Sequence, residues 1–288
     1  MSTAVVGVVG AGFMGSGIAE SSAAADKRVI VFEPTPGPLE RSREKLATSL
    51  ARAVERGKRS EEDAAALTAR ISYTTSLEDL APAGVVIEAA TEDPVVKGEL
   101  FARMDAALPE AQLLASNTSS IPIGQLAAKT TRPERVLGLH FFSPVQVMKL
   151  VEIVVAVDTS QATIAAAEEF AREIGKTSIR ARDRSGFVVN MLLVPYLVAG
   201  VRMFEQGFAS REDIDTGMKL GCGHPMGPLE LSDFIGLDVL DAVCQSLYDE
   251  FKLPEYASPP LLRRMVAAGH NGRKSGRGFY DYGGGGSA

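Results

Sequence analysis

Three histidines are present, His140, His224 and His270. Imidazole exchanges protons near neutral pH, so a histidine beside an alcohol can take its hydroxyl proton while hydride leaves the carbon. His140 ends the apolar run Val136–His140, and the ends of such strands are where open α/β sheets bind ligands. A histidine at a strand end is, by itself, more often structural. Its neighbours favour chemistry. Asn117-Thr118-Ser119-Ser120 ends the preceding apolar run and brings hydroxyls to the same crevice. Twelve residues after His140, Glu152 interrupts the apolar stretch Leu150–Val155. A carboxylate there is costly to bury unless paired, and an imidazole partner would be oriented by it and stabilised when charged. Asn190 interrupts another apolar stretch and also needs hydrogen-bond partners. His224, in Cys222-Gly223-His224-Pro225, lacks a second pair of ligands at metal-binding spacing, and no metal is expected. His270 reads as the C-terminal residue of a helix.

A second set of residues could hold a dinucleotide. Val5–Val9 runs into Gly10-Ala11-Gly12-Phe13-Met14-Gly15 and then into a helical stretch, Ser16–Ala25. Gly10 would make the tight turn, Gly12 would admit a pyrophosphate, and Gly15 would let helix and strand pack closely. Phe13 and Met14 lie in the same loop. The helix N-terminus supplies positive potential. The next strand ends at Glu33, placed to bind the adenosine ribose hydroxyls and to repel a 2′-phosphate. No arginine follows until Arg41, so NAD is expected rather than NADP.

The elements that must position these residues follow from patterning. Val5–Val9, Arg28–Phe32, Val85–Glu88, Leu113–Ser116, and the ranges 135–142 and 150–157 read as buried strands. Helical patterns lie between them, as in 94–108 and 162–174, which predicts a mostly parallel sheet with helices on both faces. From 39 to 70, charges and alanines repeat at helical spacing with a break at 57–60. Two antiparallel helices projecting from the sheet are expected there. After residue 185 strand signals are few. Helices are predicted over 187–204, from a capping-box-like Ser210/Asp213 to Gly221-Cys222-Gly223, between Pro228 and Gly236, over 238–251 and over 261–268. The expected plan is a Rossmann-type α/β domain at 1–185, a helical domain at 186–282 and a flexible tail at 283–288, with a ligand site between the domains.

The 288 residues suffice for two cores. A net charge of -6 argues against a nucleic-acid footprint. The first apolar stretch is too short for a signal or membrane segment, and two cysteines make no disulfide framework, so a cytoplasmic protein is expected.

The motifs taken together resemble a known family. These are the glycine turn, Asn117-Thr118-Ser119-Ser120, and His140-Phe141-Phe142-Ser143-Pro144 with Val147-Met148-Lys149-Leu150-Val151-Glu152. Gly186-Phe187-Val188-Val189-Asn190, His224-Pro225-Met226-Gly227-Pro228-Leu229 and Gly276-Arg277-Gly278-Phe279-Tyr280 complete the set. In this order along nearly the whole chain they look like the 3-hydroxyacyl-CoA dehydrogenases, and most like the bacterial 3-hydroxybutyryl-CoA dehydrogenases. The resemblance implies NAD-dependent oxidation of a short L-3-hydroxyacyl-CoA, or its reverse, in fatty acid metabolism. It implies His140 as general base, Glu152 as its orienting partner, and Ser119 and Asn190 as hydrogen-bonding groups at the substrate's 3-oxygen. It further implies cofactor contacts at Glu92, Lys97, Ser143 and Lys274, CoA contacts at Ser49 and Arg56, and a homodimer formed by the helical domain.

The chain departs from the family pattern at Ser143, where Asn is usual, and at Gln146, where Pro is common. Met191 stands in place of Arg, and Val198-Ala199 in place of an Asn-Glu pair. These leave the reaction class intact and bear on the acyl substrate and cofactor geometry. Three other readings stay open at this level: a dehydrogenase of a carrier-protein-bound hydroxyacyl group, a dehydrogenase of a free hydroxy acid, and a non-catalytic NAD-binding protein.

Overall fold

The computed structural model describes residues 3–283, so the expected tail lies outside the described residues from 284 on. The chain divides into two compact units that part between Arg184 and Ser185.

The first unit is built on one eight-stranded sheet. Its strands are β1 (Val5–Val9), β2 (Arg28–Phe32), β3 (Ile71–Thr74), β4 (Val85–Glu88), β5 (Leu113–Ser116), β6 (Val136–Phe141), β7 (Leu150–Val155) and β8 (Thr177–Arg182). They lie in the order β3-β2-β1-β4-β5-β6-β7-β8. The first six run parallel, β7 turns antiparallel against β6, and β8 runs parallel to β7. The order 3-2-1-4-5-6 is that of the dinucleotide-binding fold, with its switch point between β1 and β4. The central strands are near-continuously apolar because helices cover both faces. These helices are α1 (Phe13–Ala24), α2 (Pro36–Glu55), α3 (Glu61–Ala69), α4 (Pro94–Ala107), α5 (Ile123–Ala127) and α6 (Gln161–Glu173).

Six strands are predicted from the pattern and the sheet has eight. The two additions, β3 and β8, are its edges. An edge strand covers less apolar surface, and Thr177–Arg182 carries Arg180 and Arg182 where a central strand would carry Val or Ile. Helix α5, at five residues, is too short for a periodic signal.

The helical hairpin forms where charge periodicity places it. Gly57 adopts φ +65° at the break, and Ser60 and Asp63 close a capping box that starts α3. The hairpin is rooted rather than free-standing. Leu39, Leu46 and Leu50 of α2 and Leu67 of α3 join a core that includes Ile18 of α1 and Val29 and Val31 of β2.

The second unit is helical, with α7 (Val189–Glu205), α8 (Arg211–Cys222), α9 (Pro228–Ile235), α10 (Leu237–Phe251) and α11 (Pro260–Ala267). Ser210 caps α8 by accepting the Asp213 N–H, and Gly223 ends it at φ +71°. The core gathers Val194, Leu197, Val198 and Val201 of α7 with Leu229, Leu240 and Leu247. Val198, one of the departures from the family, is thus a core residue. Asp215 accepts the N–H groups of Leu229 and Glu230 and so caps α9. Asp233 accepts those of Phe279 and Tyr280 and ties the C-terminal segment to the bundle.

Leu67 is fully buried between hairpin and sheet. Leu67→Ala is expected to lower the stability of the first unit by about 2–5 kcal/mol, read as a shifted urea midpoint at unchanged slope. A change below about 0.5 kcal/mol would mean that the hairpin is not rooted in that core.

Candidate active site

The glycine turn after β1 is built as its spacing requires. Gly10 sits at φ +108°, and a Cβ there would fall 2.7 Å from the Ala89 carbonyl oxygen. A Cβ on Gly15 would come within 1.9 Å of the Gly10 carbonyl. A Cβ on Gly12 would meet nothing within 4 Å. Its smallness therefore serves the space outside the protein, where a ligand backbone can approach. Glu33, at the end of β2, accepts the Ala11 N–H at 3.0 Å and braces the turn. A cavity of about 650 Å³ opens here, lined by Gly10, Gly12, Phe13, Met14 and Glu33. These features fit a dinucleotide. Arg41 also lines this cavity, so its distance in sequence from Glu33 does not keep it away. The expected preference for NAD over NADP therefore rests on the Glu33 carboxylate alone, with an arginine on the same wall.

The ends of β4 and β5 carry a charged cluster. Glu88 is fully buried and Lys97 is 1% exposed. Lys97 Nζ donates to Glu88 Oε1 at 2.5 Å and stands 3.4 Å from Glu92 Oε2. Glu88 also accepts from the Ser116 hydroxyl at 2.6 Å and the Ala90 N–H at 2.6 Å. Glu92 accepts from the hydroxyls of Thr118 and Ser120 and from the Ser119 N–H. Burial pushes the Glu92 carboxyl up, but the Lys97 ammonium and the three donors outweigh it and hold it below the ordinary carboxylate range. One ammonium thus joins two carboxylates, and these tie the loop carrying Ser119 to the ends of two strands. Glu88 escapes the sequence reading, although the argument applied to Glu152, a carboxylate in an apolar strand, would have found it.

At the end of β6, His140 lies directly opposite Glu152 in the antiparallel ladder with β7. His140 Nδ1 and Glu152 Oε2 are 2.7 Å apart. Glu152 is fully buried and His140 is 7% exposed. A carboxylate can only accept, so Nδ1 carries the proton and the neutral ring has its lone pair on Nε2. Asn117 Oδ1 accepts the Phe141 N–H at 2.9 Å, which joins the loop after β5 to the same strand end. Phe142 packs edge-on against the imidazole, with ring centres 4.7 Å apart. Ser143 follows, exposed, before Pro144.

Ser49 and Arg56 face a second cavity of about 960 Å³ between α1, α2 and the segment Pro144–Val147. Ser49 donates to Glu20 at 2.9 Å. In the second unit, Asn190 lies half-buried in the first turn of α7, after Gly186 at φ +79° and Phe187 at φ +46°. Lys274 pairs with Asp238 at 2.6 Å. His224 Nδ1 lies 3.1 Å from the Tyr196 hydroxyl.

Two outcomes follow from the charged cluster. Lys97→Met strands a buried Glu88 carboxylate and is expected to cost about 3–5 kcal/mol, most of it recovered in the Lys97→Met/Glu88→Gln double variant, as measured by urea unfolding. An additive double variant would disprove the pairing. Because the Glu92 carboxyl is held low in the folded state, its contribution is complete above the ordinary carboxylate range and is lost as pH falls through its lowered value. The stability gap between the wild type and Glu92→Gln is therefore expected to close on acidification below about pH 4. A gap that persists at pH 2 would speak against it.

Comparison with known proteins agrees with this architecture. Residues 5–184 match the family model described as 3-hydroxyacyl-CoA dehydrogenase, NAD binding domain, and residues 186–282 match that of its C-terminal domain. A 3-hydroxybutyryl-CoA dehydrogenase of Mycobacterium tuberculosis is 53% identical over 280 residues, covering 96% of this chain and 98% of the relative. The mitochondrial hydroxyacyl-coenzyme A dehydrogenase of Sus scrofa is 41% identical over 284 residues, covering 96% and 90%. Among solved structures, M. tuberculosis FadB2 superposes with a TM-score of 0.96 at 52% identity, covering 98% of this chain and all of the other. The (S)-3-hydroxybutyryl-CoA dehydrogenase PaaH1 of Ralstonia eutropha gives 0.93 at 45% identity, covering 98% and 99%. With both domain models matched over nearly its whole length, the chain belongs to the 3-hydroxyacyl-CoA dehydrogenase family.

Proposed function

We propose that the chain oxidises the hydroxyl of a short L-3-hydroxyacyl-CoA, such as 3-hydroxybutyryl-CoA, to the 3-oxoacyl-CoA, and runs the reverse reduction. The observation that carries this reading is the His140–Glu152 pair, a buried imidazole with its Nδ1 proton held by a carboxylate. The activities of the relatives, including the (S)-configured substrate of the Ralstonia enzyme, point the same way.

The glycine turn and Glu33 would hold NAD, which would supply the hydride acceptor. His140 takes the hydroxyl proton at Nε2, and Glu152 steadies the imidazolium that results. In reduction His140 returns the proton to the 3-oxygen. Ser119 and Asn190 hydrogen-bond that oxygen as it becomes a carbonyl, and the Glu92 carboxylate holds Ser119 in place through its N–H. Lys97, buried between Glu88 and Glu92, serves the cofactor site through Glu92. Ser143 and Lys274 would be further cofactor contacts, Ser143 toward the nicotinamide end. Ser49 and Arg56 serve the CoA, and the many cations on that cavity wall favour a polyphosphate over a free hydroxy acid.

We further infer a cytoplasmic homodimer formed through the helical unit. Among the described residues no helix is long and apolar enough to cross a membrane. The helical unit exposes Leu192 at 73%, Phe208 at 78% and Leu220 at 84%, apolar area that a second copy would cover. Light scattering is expected to give twice the chain mass; a monomer at micromolar concentration would refute the dimer.

His140→Gln and Glu152→Gln are each expected to lower turnover of acetoacetyl-CoA with NADH by about 10²–10⁴-fold, followed at 340 nm, while NADH binding measured by fluorescence persists. Near-normal turnover in either variant would remove these residues from the chemistry.

A further inference from the structure

The cavity of about 960 Å³ beside the hairpin has an uneven wall. Arg41, Lys45, Arg52, Arg56, Lys58 and Arg59 line it, against Glu20 and Glu44. Glu20 is the one carboxylate that projects from α1 toward α2 and spans the groove. Its Oε1 accepts from the Ser49 hydroxyl at 2.9 Å, and its Oε2 accepts from the Gln146 side-chain amide at 2.6 Å. Both partners line the same cavity. The segment carrying Gln146 is fixed. Lys176 Nζ donates to the carbonyls of Val145 and Met148 at 2.5 and 2.8 Å. Val145 is buried against Gly17, where a Cβ would come within 3.0 Å of it.

Position along α2 sorts the charges. Ser49, held by Glu20, divides the helix. Toward its N-terminus stand Arg41 and Lys45 with Glu44, two cations against one carboxylate. Toward and past its C-terminus stand Arg52, Arg56, Lys58 and Arg59, four cations with no carboxylate among the residues lining the cavity. At about 1.5 Å per residue, Arg52 and Arg56 lie about 5 and 10 Å beyond Ser49 along the axis. A carboxylate at the dividing point repels a polyanion from the middle of the groove and leaves the far end strongly attractive.

We propose that Glu20 is a specificity-determining residue of this groove, a clasp on Ser49 and Gln146 that steers the phosphates of an acyl-CoA to the Arg52–Arg59 end. The proposal rests on the acyl-CoA reading given above. Ser49 can donate to a CoA phosphate only by sharing or leaving its bond to Glu20. The clasp therefore opposes any anion that settles at the centre, and a ligand whose phosphates lie at the far end meets the least opposition.

The test is Glu20→Gln, which keeps an acceptor for Ser49 and removes the charge. KM for acetoacetyl-CoA is expected to fall by about 3- to 10-fold at low salt, with the change in KM and not in kcat. The difference shrinks as salt screens it. Calorimetric binding of CoA itself should tighten by the same factor. The N-acetylcysteamine thioester of acetoacetate, which lacks the phosphates, should show the same KM in both proteins. Unchanged KM and CoA affinity in Glu20→Gln would overturn the proposal. An equal shift for the phosphate-free thioester would overturn it too, since that marks a structural effect. A wild type inactive on acetoacetyl-CoA would bring down the acyl-CoA reading and this proposal with it. An active wild type with an unresponsive variant would bring down the proposal alone.

Discussion

A carboxylate with no access to water is the constraint around which the catalytic end of the sheet is arranged. Glu152 stands in the middle of β7, fully buried, where an unpaired charge would cost several kcal/mol. Its partner arrives through the one antiparallel junction in the sheet. Because β7 reverses against β6, a residue twelve positions away returns directly opposite His140. A parallel neighbour could not do this, since a parallel return needs a crossover of about a dozen residues or more. Register is equally decisive, as a slip by one residue would turn Glu152 to the other face. That register depends on the short connection between the strands. Lys176 holds it from one side, and Val145, packed on Gly17, holds it from the other.

The same reasoning extends along the strand ends. Glu33 at the end of β2 braces the glycine turn, Glu88 at the end of β4 is matched by Lys97, and Glu92 gathers the loop after β5. In each case a carboxylate is bound by backbone N–H groups, hydroxyls or an ammonium, and in return fixes a loop that would otherwise be free to move. The charges here, of which Glu88 and Lys97 are buried, act by fixing position more than by adding stability. Ion pairs of this kind rarely stabilise more than an apolar replacement would, but they define one geometry. The loop with Ser119 gains its definition in this way.

Much of this was readable from residues alone, and the exceptions have physical causes. Glu152 and His140 were visible as a charge in an apolar run and a histidine at a strand end. The glycine turn was visible because each of its glycines has a separate steric reason. β3 and β8 were not, because an edge strand needs no alternation that marks it. The burial of Glu88 is open to the argument used for Glu152, a carboxylate in an apolar strand, but nothing local reveals that Lys97 is the group that meets it. Arg41 looked remote from Glu33 because distance was counted along the chain, whereas α2 starts at the rim of the same cavity. The engagement of Ser49 by Glu20 joins two helices and was beyond any local pattern.

Helix α2 shows how one period carries two messages. Leu39, Leu46 and Leu50 fall within about 40° of one another around the helix at about 100° per residue. Arg41, Lys45, Arg52 and Arg56 fall within about 60° of one another by the same count, centred on the side away from the leucines. The apolar stripe roots the hairpin in the core, and the cationic stripe faces the larger cavity. Neither stripe could shift by one residue without moving the other, so the packing that stabilises the hairpin also aims its charges. This is why a chain of net charge -6 can present a strongly positive groove. The overall balance governs solubility and long-range repulsion, but within a Debye length of about 8 Å a ligand responds to the stripe it faces. Glu20 belongs to that local field. It comes from a different helix, so the period of α2 does not dictate its position, as it does not dictate Lys58 and Arg59 beyond the end of α2.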